Sequence, residues 1–195
     1  MVVGDTGPFL CAGAVRREHG LHVLFQRYNT DDRSIAMPRQ VADELTNQAR
    51  GSGKLGTAAI RARKSAFLKV EDREWTDAEW NRVEDLVVAY ERKRAEIRGK
   101  VAKTTDHDGD VAGILFALDL DALFLTNDIP AQQAARDLGL RTATFAMVLA
   151  AEVRDRRLSP EEAVTALETI APLTYSGISN PSVNAITTQP VVEGV

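Results

Sequence analysis

Between Thr104 and Asp128 the chain reads TTDHDGDVAGILFALDLDALFLTND, and its acids are spaced for chemistry. Asp106, Asp108 and Asp110 fall within five residues, just before an apolar run, and Asp128 closes a second apolar run. Physically this reads as a helix with acids at its N-terminus, a turn, and a buried strand that presents an acid at its C-terminal end. Strand C-termini of an open parallel sheet form the rim where ligands bind, so both acids are delivered to one rim. Two further acids hold comparable places. Asp5 ends a short first strand, and Glu44, three residues from the inward-facing Val41, shares its side of a helix. Asp43 is rotated by about 200° from Val41 and faces away.

Gathered in one pocket, such acids would repel one another. Two carboxylates ~5 Å apart repel by ~3 kcal/mol at an effective dielectric near 20, enough to raise pKa values until some are protonated. A bound divalent cation removes that penalty, and hard oxygen donors completed by water and phosphate suit Mg²⁺ or Mn²⁺. Other chemistries fail on spacing or donors. A calcium loop starting at Asp106 would need Gly at its sixth position and Glu at its twelfth, where Val111 and Ala117 stand. His19, His22, His107 and Cys11 are too few for a zinc site. A phosphoaspartyl enzyme would carry a second Asp two residues after Asp5, where Gly7 stands. Gly51-Ser-Gly-Lys54 lacks both the leading glycine and the Ser or Thr after lysine of a phosphate loop, and reads as a flexible, helix-breaking loop. His107 is read as a solvent-exposed loop residue, Asp119 and Asp121 as solvated, and Asp106 and Asp108 as caps, with Asp108 the N-cap.

These acids need elements to hold them. Met1–Val3 form a short strand, and Phe9–Arg17 a helix. Ser34–Met37 form a strand closed by Pro38, which suits the first turn of the next helix. Ala58–Ala66 are helical and Phe67–Val70 extended. Thr76-Asp-Ala-Glu79 is a capping box opening a long helix with Trp80, Val83, Val87, Tyr90 and Ile97 on one stripe and Gly99 as its stop. Trp75 and Trp80 read as packing residues. After Asp128 come a small-residue helix ended by Gly139, a strand at Arg141–Phe145, a helix at Ala146–Arg156, and a capped helix from Ser159 to Ile170. The alternation predicts a three-layer α/β/α fold with a central, mostly parallel sheet over 1–175. The 176–195 segment, rich in Ser, Asn, Thr, Pro and Gly, is expected to be a loosely docked or disordered tail.

Composition agrees with one core-forming domain: 195 residues, 44% hydrophobic, net charge −4. The single Cys11 excludes an internal disulfide, suits a reducing compartment, and reads as a small buried hydrophobe. No apolar run approaches the ~20 residues that span a bilayer, and MVVGDTGPFL has no basic segment before a long apolar one, so a cytoplasmic protein is expected. Arg50–Lys69 hold six basic residues without an acid, and Arg92–Lys103 hold six with Glu96 alone. Both are solvated faces or tracks for phosphates.

VVGDTGPFL, PRQVADEL, GDVAGILFALDLDALFLTND and AQQAARDLGLRT together resemble the successive signatures of PIN-domain ribonucleases, including the VapC-type toxins of toxin–antitoxin pairs. The resemblance runs from Val2 to about Arg157. It implies a PIN-like nuclease domain with a metal-binding quartet on Asp5, Glu44, Asp110 and Asp128, flanked by Thr6 and Asn127. The family commonly has Glu where Asp110 stands, which makes Asp108 a helper or substitute, and the Glu44–Asp110 interval is longer than in compact members. The resemblance further implies hydrolysis of RNA to 5′-phosphate and 3′-hydroxyl ends, with the basic clusters guiding the backbone. It also implies a small antitoxin partner and a homodimer. A non-catalytic RNA- or partner-binding protein is the alternative, and a metal-dependent DNA nuclease or phosphatase a third option.

Overall fold

The computed structural model describes residues 1–15, 35–65, 68–101 and 107–190. Expectations for Arg17, His19, His22, Ser34, Ala66, Phe67, Lys103, Asp106 and 191–195 lie outside them. Five short strands, β1 (Val2–Gly4), β2 (Ile35–Pro38), β3 (Leu68–Glu71), β4 (Leu123–Leu125) and β5 (Thr142–Ala143), form an all-parallel sheet. Their order is β3-β2-β1-β4-β5. Helices α1 (Thr6–Ala14), α2 (Arg39–Ala49), α3 (Gly53–Arg63) and α4 (Asp77–Ile97) precede α5 (Asp108–Asp119). Then follow α6 (Ile129–Asp137), α7 (Phe145–Arg154), α8 (Pro160–Ile170) and α9 (Val183–Thr187).

β1, β2, β4 and β5 are buried on both faces, and the pleat of β1, β2 and β4 sends alternate side chains to two cores, while Val70 of the edge strand β3 is exposed. Val2, Ile35, Met37, Leu123 and Leu125 join the core made with α1, α2, α3, α7 and α8. Val3, Ala36 and Phe124 join the core made with α4, α5 and α6. The fold is therefore a three-layer α/β/α sandwich. From β1 the chain steps outward through β2 to β3, then returns across β1 to β4 and β5. The order reverses between β1 and β4, and at such a switch point the flanking crossovers leave a crevice beyond the strand C-termini.

Local signals hold where their partners are local. Both capping boxes form, Thr76 with Glu79 and Ser159 with Glu162, and Gly139 ends α6 at φ 86°. Differences have tertiary causes. Ile97, expected on the buried stripe, is 78% exposed, and Val83 and Val87 are the stripe's buried residues. The helix break expected at Gly51–Lys54 is confined to Arg50–Ser52, because Gly53 and Lys54 already belong to α3. Only Thr142 and Ala143 pair as β5, since Thr144 turns its hydroxyl to cap α7 at Met147 N, 3.1 Å away. Asp119 is not merely solvated: its carboxylate accepts from Arg73 at 3.0 Å and from the Trp75 indole at 3.1 Å. That bond fixes Trp75 against Trp80 and Phe116, the packing role expected of it.

The 176–190 segment docks through α9. Ser182 caps that helix, Ile186 is wholly buried in the core beside α7 and α8, and Ser176 O accepts from Ala146 N at 2.9 Å. No described helix is long and apolar enough to cross a membrane.

Candidate active site

A pocket of about 330 Å³ lies at the switch point, lined by Asp5, Glu44, Asp110 and Asp128, together with Thr6, Asn47 and Gln48. All four acids singled out in the sequence thus meet, though they come from four separate elements. No basic side chain is among the lining residues.

Asp5 follows β1, where its N–H donates to Leu125 O of β4 at 2.9 Å. It caps α1, with Oδ1 accepting from Thr6 N at 2.5 Å. Its other oxygen, Oδ2, accepts from the Thr126 hydroxyl at 3.1 Å. The same hydroxyl oxygen accepts from Asp128 N at 3.1 Å, so one buried threonine ties two of the acids together. Asp128 caps α6 through Oδ1, which accepts from Ala131 N at 3.0 Å, while Oδ2 lies 3.8 Å from Arg94 Nη1 on α4. Glu44 stands on α2 and accepts from the Thr6 hydroxyl at 2.5 Å. Asp110 is the third residue of α5.

Close approach of α5 to α2 depends on Gly109. A Cβ there would lie 2.2 Å from Glu44 Oε1 and 2.9 Å from its Cδ. The glycine therefore makes room for the Glu44 carboxylate beside Asp110.

The electrostatics follow from this crowding. Burial, then the Asp110 and Glu44 charges, push the Asp5 carboxyl well above its ordinary range, against the opposing pull of Thr6 N–H and the Thr126 hydroxyl. Burial and Asp110 push Asp128 up to about 6, with Ala131 N–H and Arg94 working the other way. Arg94 beside Asp128 and His107 beside Asp110 offset part of the negative charge from outside the pocket, and no basic side chain lines it.

Supporting residues differ from expectation. His107 is not a solvent-exposed loop residue: its side chain is 12% exposed, with Nε2 2.8 Å from Glu91 on α4 and Nδ1 3.8 Å from Asp110 Oδ2. The Asp110 carboxylate is the largest influence raising the imidazole pKa, and Glu91 adds to it. At 3.8 Å the Asp110 contact is an ion pair rather than a hydrogen bond, and Glu91 is the tighter partner. His107, not Asp108, occupies the N-cap of α5; Asp108 is an exposed first-turn residue outside the pocket lining. Asn127 is turned from the pocket. Its Nδ2 donates to Tyr175 O at 2.8 Å and its Oδ1 accepts from Phe145 N at 2.9 Å, which pins β4 to α7 and to the C-terminal segment. Cys11 beneath it is fully buried, its thiol pushed up to about 12 by burial, and is an inert packing residue.

Sequence reasoning missed Thr126, Asn47, Gln48 and Glu91. Asn47 and Gln48 follow Glu44 by three and four residues, the spacing that puts side chains on one helix face, so the rule that picked out Glu44 could have found them. Nothing local marks Thr126 or Glu91, whose partners are distant in sequence.

Four carboxylates offer hard oxygen donors, and no basic side chain in the lining answers their charge, which is the setting a divalent cation fits. Among the described residues no three His, Cys, Asp or Glu side chains already stand together as a ready-made ligand set. No family model and no curated protein matches the chain.

Proposed function

We propose that this chain is a metal-dependent endoribonuclease of the PIN-domain kind, the toxin of a toxin–antitoxin pair acting in the cytoplasm. One observation carries the reading: four carboxylates from four elements line one pocket where the strand order reverses, with no basic residue in its wall. Asp5, Asp110 and Asp128, with Glu44, would hold Mg²⁺ or Mn²⁺. Such a cation, when bound, lowers the pKa of a water molecule and stabilises charge gathering on the phosphate.

The chain's own residues supply position. Thr126 fixes Asp5 relative to the backbone of Asp128, and Thr6 fixes one oxygen of Glu44. Preset side chains avoid reorganisation as the reaction proceeds. Glu44, at the edge of the set, serves either as a ligand or to orient the attacking water in line with the leaving oxygen. The attack leaves a 5′-phosphate and a 3′-hydroxyl. Basic side chains of α3 and α4 would guide the RNA backbone. A small antitoxin protein and a second copy of the chain are the proposed partners.

The test is Asp5→Asn and Asp110→Asn, assayed for RNA cleavage with Mg²⁺ or Mn²⁺. Both are expected to abolish cleavage while the protein stays folded. Unchanged, metal-independent cleavage would sink the mechanism, and calorimetry showing no binding at millimolar Mg²⁺ or Mn²⁺ would favour a non-catalytic binding protein. A short DNA-binding reading frame directly upstream would support the antitoxin.

A further inference from the structure

The pocket wall is not wholly acidic. Asn47 and Gln48 close one side of it, in the last turn of α2. Both side chains are exposed. Asn47 Oδ1 accepts a long 3.4 Å bond from Arg50, which leaves its Nδ2 available. The Gln48 side-chain amide has no hydrogen bond to any described residue, and its backbone carbonyl accepts from Gly51 N at 3.0 Å. The remaining neutral lining group, the Thr6 hydroxyl, is already committed to Glu44. Two neutral amides therefore stand beside four acids, each amide able to present a donor and an acceptor.

Amides are poor tools for holding a phosphate against four carboxylates, since they bring no charge. They match neutral base edges, which carry donor–acceptor pairs and which an unpaired strand exposes. A pocket of about 330 Å³ sits at the low end of the ~300–1,000 Å³ range of small-ligand sites and suits one nucleotide, not a duplex. We propose that Gln48 and Asn47 form a base-reading subsite for an unpaired nucleotide next to the scissile bond, and that it sets the sequence preference of cleavage. This rests on the endoribonuclease reading above.

The experiment uses the full chain with Mn²⁺ and a pool of single-stranded RNA randomised in sequence, with cut sites read by sequencing. Wild type is expected to favour one base at a position beside the cut. Gln48→Ala should flatten that preference by about 5- to 150-fold, the range of one bidentate amide–base contact, and Asn47→Ala less. Mn²⁺ affinity and melting temperature should not move, because neither amide holds the metal. A second arm measures binding of the same RNAs to Asp5→Asn, alone and combined with Gln48→Ala, by fluorescence anisotropy. Base-dependent binding that Gln48→Ala removes supports the subsite even if wild type never cuts, and then only the nuclease reading falls. A preference unaltered by both amide variants, or cutting and binding without any base preference, overturns the subsite.

Discussion

Gly109→Ala separates the placement of Glu44 from the stability of the fold. The added methyl would lie 2.2 Å from Glu44 Oε1, and ordinary contact begins at 3.4 Å, so the carboxylate must retreat by about 1 Å. Glu44 ends a flexible side chain and can do so without moving the backbone of α2. Its retreat breaks the bond from the Thr6 hydroxyl, a charge-assisted hydrogen bond worth about 1.5–3 kcal/mol. Alanine returns part of the ~1 kcal/mol that glycine costs a helix, only part because residue 109 lies in the first turn of α5. The net loss is about 1–2 kcal/mol, a fall of roughly 2–8 °C in melting temperature for a domain of this size. A ~1 Å misplacement in a catalytic constellation costs on the order of 100-fold in rate. The expected pattern is kcat/KM on RNA down by about two orders of magnitude in a protein that still melts cooperatively. Adding Glu44→Asp, whose shorter side chain clears the methyl, should recover part of the activity that Gly109→Ala loses. Wild-type turnover in Gly109→Ala would show that the position of Glu44 is immaterial, and the role assigned to it would be wrong.

The remaining expectations concern the acids and their tether. Asp5 and Asp128 have folded-state pKa values above their unfolded ones, so the folded protein holds extra protons, and stability falls as pH rises through that window, from about 4 to about 6 for Asp128. His107, also raised, loses stabilisation in the same direction at higher pH. Two pKa units correspond to about 3 kcal/mol, which solvent screening of the 42%-exposed Asp128 side chain reduces to roughly 1 kcal/mol. Without divalent cations the protein should therefore melt lower at pH 7.5 than at pH 5.5, and millimolar Mn²⁺ should raise the melting temperature more at pH 7.5; the opposite order in a calorimetric scan would contradict the assignment. Thr126→Val keeps the shape of a fully buried side chain but strips the hydroxyl from Asp5 and leaves Asp128 N–H unsatisfied. It should cost about 1–3 kcal/mol and weaken Mn²⁺ binding by calorimetry; unaltered affinity would mean the tether does not position the acids.

The sandwich was legible because its signals are short-range. Alternation in VV, IAM and LFL sends residues to two cores, and capping boxes at Thr76 and Ser159 need only residues three apart. The quartet was legible because Asp5 and Asp128 mark strand ends and Glu44 and Asp110 mark helix faces, places that a parallel sheet brings to one rim. What stayed hidden depends on partners far along the chain. His107 looks like a loop residue until α4 lays Glu91 beside it, and Asp119 looks solvated until Trp75 and Arg73 arrive. Asn127 runs the other way. The resemblance set it beside the quartet, whereas Phe145 N–H and Tyr175 O, both distant, claim its amide for the scaffold.

The central position of β1 has a consequence for the order of synthesis. Val2 pairs with Leu123, so the strand that carries Asp5 emerges from the ribosome roughly 120 residues before the neighbour that completes its hydrogen bonding. Asp128 follows Leu123, and the Tyr175 carbonyl that secures Asn127 comes later still. Until those residues have been made, the acids have no shared pocket, and any chemistry the quartet performs waits for the last third of the chain.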